Sequence, residues 1–210
     1  MDTIIDALTW RYATKKFDEN KMISAENLEK IKQALVLTPS SFGLQPWKFV
    51  ILKNKQVQNS LIEHSYGQAQ VWQASHVIVL CRKNTLDESL VEEYIDDMMK
   101  QTWAPAESLE GYKNMMLGFL SRLSDAEKIT WANKRIYIAL WNIMTVLSMM
   151  KIDSCPMEGF IAPKYDEILD LQSKWLSSVL VLPIWYRAED DAHASRPKIR
   201  YSQDDMILEL

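Results

Sequence analysis

The chain has 210 residues, 48% hydrophobic and 25% charged, which is enough apolar material for a full core and fits one domain better than two. Its formal net charge of -4 and isoelectric point of about 5.5 exclude nucleic acid as the main partner, because a phosphate backbone calls for a basic face. No uncharged run approaches the ~20 residues that span a bilayer, so no membrane partner is expected.

In chain order, residues 2–10 read as a short helix with Ile4, Ile5 and Leu8 on one face. Ser24 is a good N-cap for a helix reaching about Leu37, with Leu28, Ile31 and Leu35 inward. Pro39 ends it. The loop Pro39-Ser40-Ser41-Phe42-Gly43-Leu44-Gln45-Pro46 follows, and Trp47 to Leu52 reads as a strand. With two hydroxyls, a glycine and a glutamine amide, that loop is suited to hold a flat polar ligand. A helix is expected over 55–65, a helical turn over 70–74 and a buried strand over 76–81. Residues 86–123 are polar, acidic and helix-rich, broken near Pro105; a two-helix hairpin and a lid are both open. Ser124 or Asp125 starts the longest helix, to about Lys151 and roughly 40 Å long. Its second half is apolar on nearly every side, which implies burial all round, in the centre of the domain or against a second subunit. A turn at 155–160, a short helix at 165–171, a strand at 178–182 and a basic segment at 195–201 complete the chain. Strands mixed with many helices give an α+β domain.

Five scattered glycines, at 43, 67, 111, 118 and 159, exclude any glycine-rich phosphate loop. A nucleotide-like cofactor therefore needs side-chain cations for its phosphate. Arg11 with Lys15, and Lys198 with Arg200, are the two candidate pairs; on an extended segment residues i and i+2 face one side. No metal cluster with ligand spacing is present. Two cysteines, Cys81 and Cys155, form no disulfide framework, and the N-terminus lacks a basic region followed by an apolar one; a cytoplasmic location without a signal peptide is expected.

Several short pieces occur in a recognisable order: Arg11-x-x-x-Lys15, Pro39-Ser40-Ser41-x-x-x-Gln45-Pro46-Trp47, Gln73-Ala74-Ser75-His76-Val77, Pro156-Met157-Glu158-Gly159-Phe160 and Pro197-Lys198-x-Arg200. On them the chain resembles the oxygen-insensitive, NAD(P)H-dependent nitroreductase and flavin reductase branch of the nitroreductase family, over residues 3 to about 205. The resemblance implies a single FMN-binding domain over 1–210, with a central mixed sheet flanked by helices. It also implies an intertwined homodimer built on the long helix, with FMN between subunits. Carried over, Arg11, Lys15, Lys198 and Arg200 hold the FMN phosphate, with Tyr12 and Ala13 along the same wall. Pro39, Ser40, Ser41 and Gly43 come from the other subunit. The backbone of Met157, Glu158 and Gly159 meets the isoalloxazine, an N–H at Glu158 or Gly159 near flavin N5. Gly67 and Gln70 face the pyrimidine edge.

The chain departs from the family pattern at Ala13, where serine is common; at Phe42, which narrows the substrate slot; at Gly67, where asparagine is frequent; and at Gln70, where some members carry lysine. The implied activity is two-electron, ping-pong transfer from NADH or NADPH through FMN to a flat acceptor such as a nitroaromatic, a quinone or free flavin, with no catalytic side chain. Segment 86–123 would shape the acceptor site. The alternative is a protein that binds or stores FMN without NAD(P)H turnover. A lysine at position 70 would stabilise negative charge on reduced flavin better than glutamine by ~1–2 kcal/mol. Gln70→Lys is therefore expected to raise the FMN midpoint potential in a redox titration; an unchanged or lowered potential removes Gln70 from the ring.

Overall fold

The structure, a computed structural model, describes residues 3–210; Asp2, expected in the first helix, lies outside the described residues. Helices α1 (Thr3–Trp10) and α2 (Ala25–Val36) lead to a 3-10 turn (Ser41–Gly43) and strand β1 (Trp47–Leu52). Ser24 caps α2 by accepting from the Asn27 N–H. The helix expected over 55–65 is broken: α3 (Lys55–Ser60) gives way to a 3-10 turn (Glu63–Ser65), and Tyr66 and Gly67 both take positive φ, 51° and 70°. Successive left-handed residues cannot continue a right-handed helix. Helix α4 (Gln70–Gln73) and strand β2 (His76–Lys83) follow.

The 86–123 excursion is two packed helices, α5 (Glu88–Thr102) and α6 (Ala106–Leu120), bridged by the Lys113–Glu92 ion pair. Trp103 caps α5 in the left-handed conformation, and Pro105 stands at the N-cap of α6. Helix α7 (Asp125–Met149) starts in a capping box between Ser124 and Glu127 and is about 37 Å long. It leads to β3 (Asp153–Ser154), α8 (Ala162–Ile168), β4 (Leu176–Trp185) and a terminal turn of helix, α9 (Gln203–Met206).

The sheet order is β1-β2-β4-β3. Leu52 pairs with Val77 and Lys83 with Leu176, whereas the long connection through α5, α6 and α7 crosses to the other end of the sheet, where Asp153 of β3 pairs with Trp185 of β4. Neighbours are antiparallel at every ladder of the described residues. This corrects the mixed sheet that the family resemblance implies; the parallel contact is one isolated bridge, Ala13 to Ser154. The β2 strand is apolar from Val77 to Cys81, where both of its faces are covered. Ile78 and Leu80 pack with Ile136, Ala139, Ile143 and Leu147 of α7, while Val77, Val79 and Cys81 face Leu61, Tyr165 and Trp185 on the other side. A third cluster joins α5 and α6 to the start of α7 at Trp131 and Ala132.

Burial of α7 on all sides does not hold within one chain. Its inner face lies on the sheet, whereas Tyr137, Ile138, Trp141 and Met149 are between 44 and 54% exposed. These positions, spaced by one, three and eight residues, form an outward apolar stripe. No described helix is long and apolar enough to cross a membrane. Ile143 is fully buried at the contact of α7 with the sheet. Ile143→Ala removes that packing and leaves a cavity, so chemical denaturation is expected to report a loss of ~2–5 kcal/mol.

Candidate active site

Residues 11–16 leave α1 extended and run beside β3. Ala13 forms its bridge with Ser154, and the Thr14 N–H donates to the Ser154 carbonyl at 3.2 Å. The C-terminal segment returns over them, with the Lys198 ammonium donating to the Arg11 carbonyl. Burial and the neighbouring Arg200 lower the Arg11 pKa. Burial lowers that of Lys198, and Arg11, Arg200 and Arg187 add to it. None of Arg11, Lys198 and Arg200 has an acid partner among the described residues. Arg187 is committed: it binds Asp153 through Nε at 2.8 Å and Nη2 at 2.6 Å, and stacks on Trp10 and Tyr12 at 4.0 and 4.5 Å. Three crowded, uncompensated cations make an anion site. Lys15, the fourth expected cation, places its ammonium 3.9 Å from Cys155 Sγ.

The other end of the site is the turn after residue 155. Met157 exchanges two backbone hydrogen bonds with Val181, at 2.8 and 3.1 Å, and is buried. The chain then leaves the sheet. Neither the Glu158 N–H nor the Gly159 N–H has an acceptor among the described residues. The Gly159 carbonyl accepts from Gln68 Nε2 at 2.8 Å, and the Ile161 N–H donates to the His64 carbonyl at 2.8 Å. A Cβ on Gly159 would lie 3.3 Å from that Gln68 amide, so glycine suits the close approach. The segment 66–68 thus meets the turn at Gly159, while Gln70 is buried at the start of α4. The contact itself is made by Gln68, which the sequence reading missed because one glutamine in a polar turn carries no signal.

Exposed α7 side chains back both ends. Trp141 lies 6.0 Å from the Arg11 guanidinium, and one turn earlier the Tyr137 hydroxyl donates to Glu158 Oε1 at 2.6 Å. The Ser40 loop sits elsewhere. Pro39 is exposed, and Ser40 Oγ accepts from the Gln45 N–H at 3.0 Å. After Ser41, Phe42 and Gly43 take positive φ, 58° and 74°. Tyr112 of α6 donates to the Phe42 carbonyl at 2.8 Å, and the Phe42 ring lies 5.1 Å from Phe119. A Cβ on Gly43 would collide with the Tyr94 hydroxyl of α5. Within one chain no described hydrogen bond, ion pair or ring contact joins this loop to residues 11–15 or 157–159.

Asp191 also escaped the sequence reading, since in Glu189-Asp190-Asp191 it looks like one of a solvated run. It is buried, and its Oδ2 accepts from the Tyr12 hydroxyl at 2.8 Å, the Lys15 N–H at 2.9 Å and the Lys16 N–H at 3.2 Å. Its Oδ1 accepts from the His193 N–H at 3.0 Å. Burial pushes its pKa up, but the His193, Lys15 and Lys16 N–H groups and the Tyr12 hydroxyl outweigh that and bring it down to about 2. A carboxyl whose folded pKa lies below its unfolded value stabilises above the unfolded value, ~3.9, and loses that contribution as pH falls through the folded one. Asp191→Ala is expected to cost ~2–3 kcal/mol at neutral pH by stranding these donors. Denaturation across pH checks this: the deficit is present above about pH 4 and shrinks toward about pH 2.

The nitroreductase family model matches residues 8–184. A protein of Staphylococcus epidermidis provisionally named as an NAD(P)H nitroreductase is 37% identical over 216 residues, covering 98% of this chain and 96% of the relative. YfkO of Bacillus subtilis, with the same provisional name, is 34% identical over 215 residues, covering 97% and 96%. Among solved structures, a provisionally named nitroreductase of Exiguobacterium sibiricum in complex with FMN superposes with a TM-score of 0.84 at 19% identity, covering 99% of this chain and 97% of that one. The chain therefore belongs to the nitroreductase family.

Proposed function

We propose that the protein is an FMN-dependent NAD(P)H oxidoreductase that works as a homodimer on flat acceptors. The observation that carries this reading is the crowding of Arg11, Lys198 and Arg200 without an acid partner, on the same wall as two unused N–H groups at Glu158 and Gly159. That donor set suits a ligand with a phosphate at one end and a ring bearing hydrogen-bond acceptors at the other. Bound FMN supplies the chemistry, a hydride taken from NAD(P)H and passed to the acceptor in ping-pong order.

The chain's own residues bind and orient. Arg11, Lys198 and Arg200 bind the phosphate, and Lys15 adds long-range attraction. Tyr12 and Ala13 line the wall, and Asp191 holds residues 12–16 in place. The free N–H groups of Glu158 and Gly159 face the ring, with Gly67 and Gln70 along its edge. A second copy seated on the exposed α7 stripe would close the site, because Tyr137 and Trp141 of that stripe already touch both ends of it. The loop Pro39-Ser40-Ser41-Phe42-Gly43 would then reach the site from the partner. Its aromatic neighbours Tyr94, Tyr112 and Phe119 on α5 and α6 would shape the acceptor side. Two buried, unpaired cysteines suit a reducing cytoplasm.

The test is the absorbance spectrum of the purified protein, before and after NADH or NADPH and then menadione. Flavin bands are expected to bleach with the nicotinamide and return with the quinone. Arg11→Ala is expected to weaken FMN binding by about ten- to a hundredfold through the lost charge-assisted bonds. Bands that neither nicotinamide bleaches would instead mark a protein that binds FMN without turnover. A protein that takes up no FMN overturns the reading.

A further inference from the structure

We propose that Tyr137 is a positioning residue for the ring-facing turn: from α7 it fixes the Glu158 carboxylate and thereby the direction of the Gly159 N–H. This inference rests on the FMN reading above. The turn is anchored before residue 158 by the Met157–Val181 pair, and after it by Gln68 on the Gly159 carbonyl and His64 on the Ile161 N–H. Between these anchors the Glu158 backbone is held through one acceptor bond, from the Phe160 N–H at 3.0 Å. The Glu158 N–H has no acceptor among the described residues, and its peptide is fixed through the Met157 carbonyl, which accepts from the Val181 N–H at 3.1 Å; the freer unit is the 158–159 peptide, whose rotation would turn the Gly159 donor away. The side chain supplies the missing restraint, since Glu158 Oε1 accepts the Tyr137 hydroxyl at 2.6 Å, the short distance of a charge-assisted bond. No lysine, arginine or histidine competes for that carboxylate among the described ion pairs. The same bond, then burial, pushes the Tyr137 phenol up to about 12, so the proton stays on the tyrosine at neutral pH and the tether persists.

Tyr137 and Trp141 are one turn apart on the exposed stripe. The turn that faces the ring is therefore tied to the helix face on which a second subunit would sit. Seating the partner would fix Tyr137 and, through it, the Gly159 donor.

The experiment compares the FMN-loaded wild type with Tyr137→Phe, Glu158→Ala, Glu158→Gln and the double variant Tyr137→Phe/Glu158→Ala. Glu158→Gln keeps an acceptor oxygen for the phenol but removes the charge. Three readouts are taken: the FMN dissociation constant by fluorescence, the spectrum of bound flavin, and the limiting rate of flavin reduction separated from NADH affinity by stopped flow. Tyr137→Phe and Glu158→Ala are each expected to lower the limiting rate about tenfold, the weight of one such hydrogen bond, and to shift the flavin bands. NADH affinity stays unchanged. The double variant is no worse than either single one, and Glu158→Gln stays close to wild type. An unmoved spectrum and rate in Tyr137→Phe overturn the inference, as does a Glu158→Gln that behaves like Glu158→Ala, since charge rather than position would then matter. If Tyr137→Phe does not fold, the Glu158→Ala and Glu158→Gln pair decides. Failure of the wild type to bind FMN overturns the functional reading instead, whereas FMN binding with silent variants overturns only the role of Tyr137.

Discussion

Arg11, Lys198 and Arg200 are pressed together without an acid among them, and like charges at close range repel. Such a cluster persists only where the surrounding structure holds it. Residues 11–16 are fastened on one side to β3 through Ala13 and Thr14, and on the other to Asp191 through three donors. Asp153 removes Arg187 from the competition, so one cation is neutralised and the others are left for a ligand.

Helix α7 links that frame to the rest of the molecule. Its inner face makes the main core with β2 and β4, and Asn142 ties it to the end of α2 through Ala34 and Thr38. Its outer face leaves Ile138 and Trp141 in water, an unfavourable place for so much apolar surface unless something covers it. Because Tyr137 and Trp141 on that face contact Glu158 and Arg11, core, open face and site are one mechanical unit.

Two turns use backbone conformations that cost free energy. Phe42 sits at positive φ next to Gly43, and Tyr66 next to Gly67. A non-glycine residue there is retained where neighbours hold it, as Tyr112 holds the Phe42 carbonyl and Phe119 its ring.

The sequence by itself determined the elements and the family. Periodicity marked α2 and α7, continuous apolar runs marked β2 and β4, and the caps at Ser24 and Ser124 marked helix starts, because each depends on neighbours within a few residues. The lack of glycine-rich loops pointed to cations, and the ordered motifs pointed to the family. Only the tertiary structure decided what depends on distant partners. That the sheet is antiparallel throughout follows from which strands become neighbours, β4 lying between β2 and β3. That α7 is half open follows from which faces meet. That Asp191 holds residues 12–16 and Gln68 holds the Gly159 carbonyl follows from contacts between residues far apart in the chain. An acid among acids and a glutamine in a polar turn look solvated in sequence; burial and partners, which only folding supplies, give them their roles.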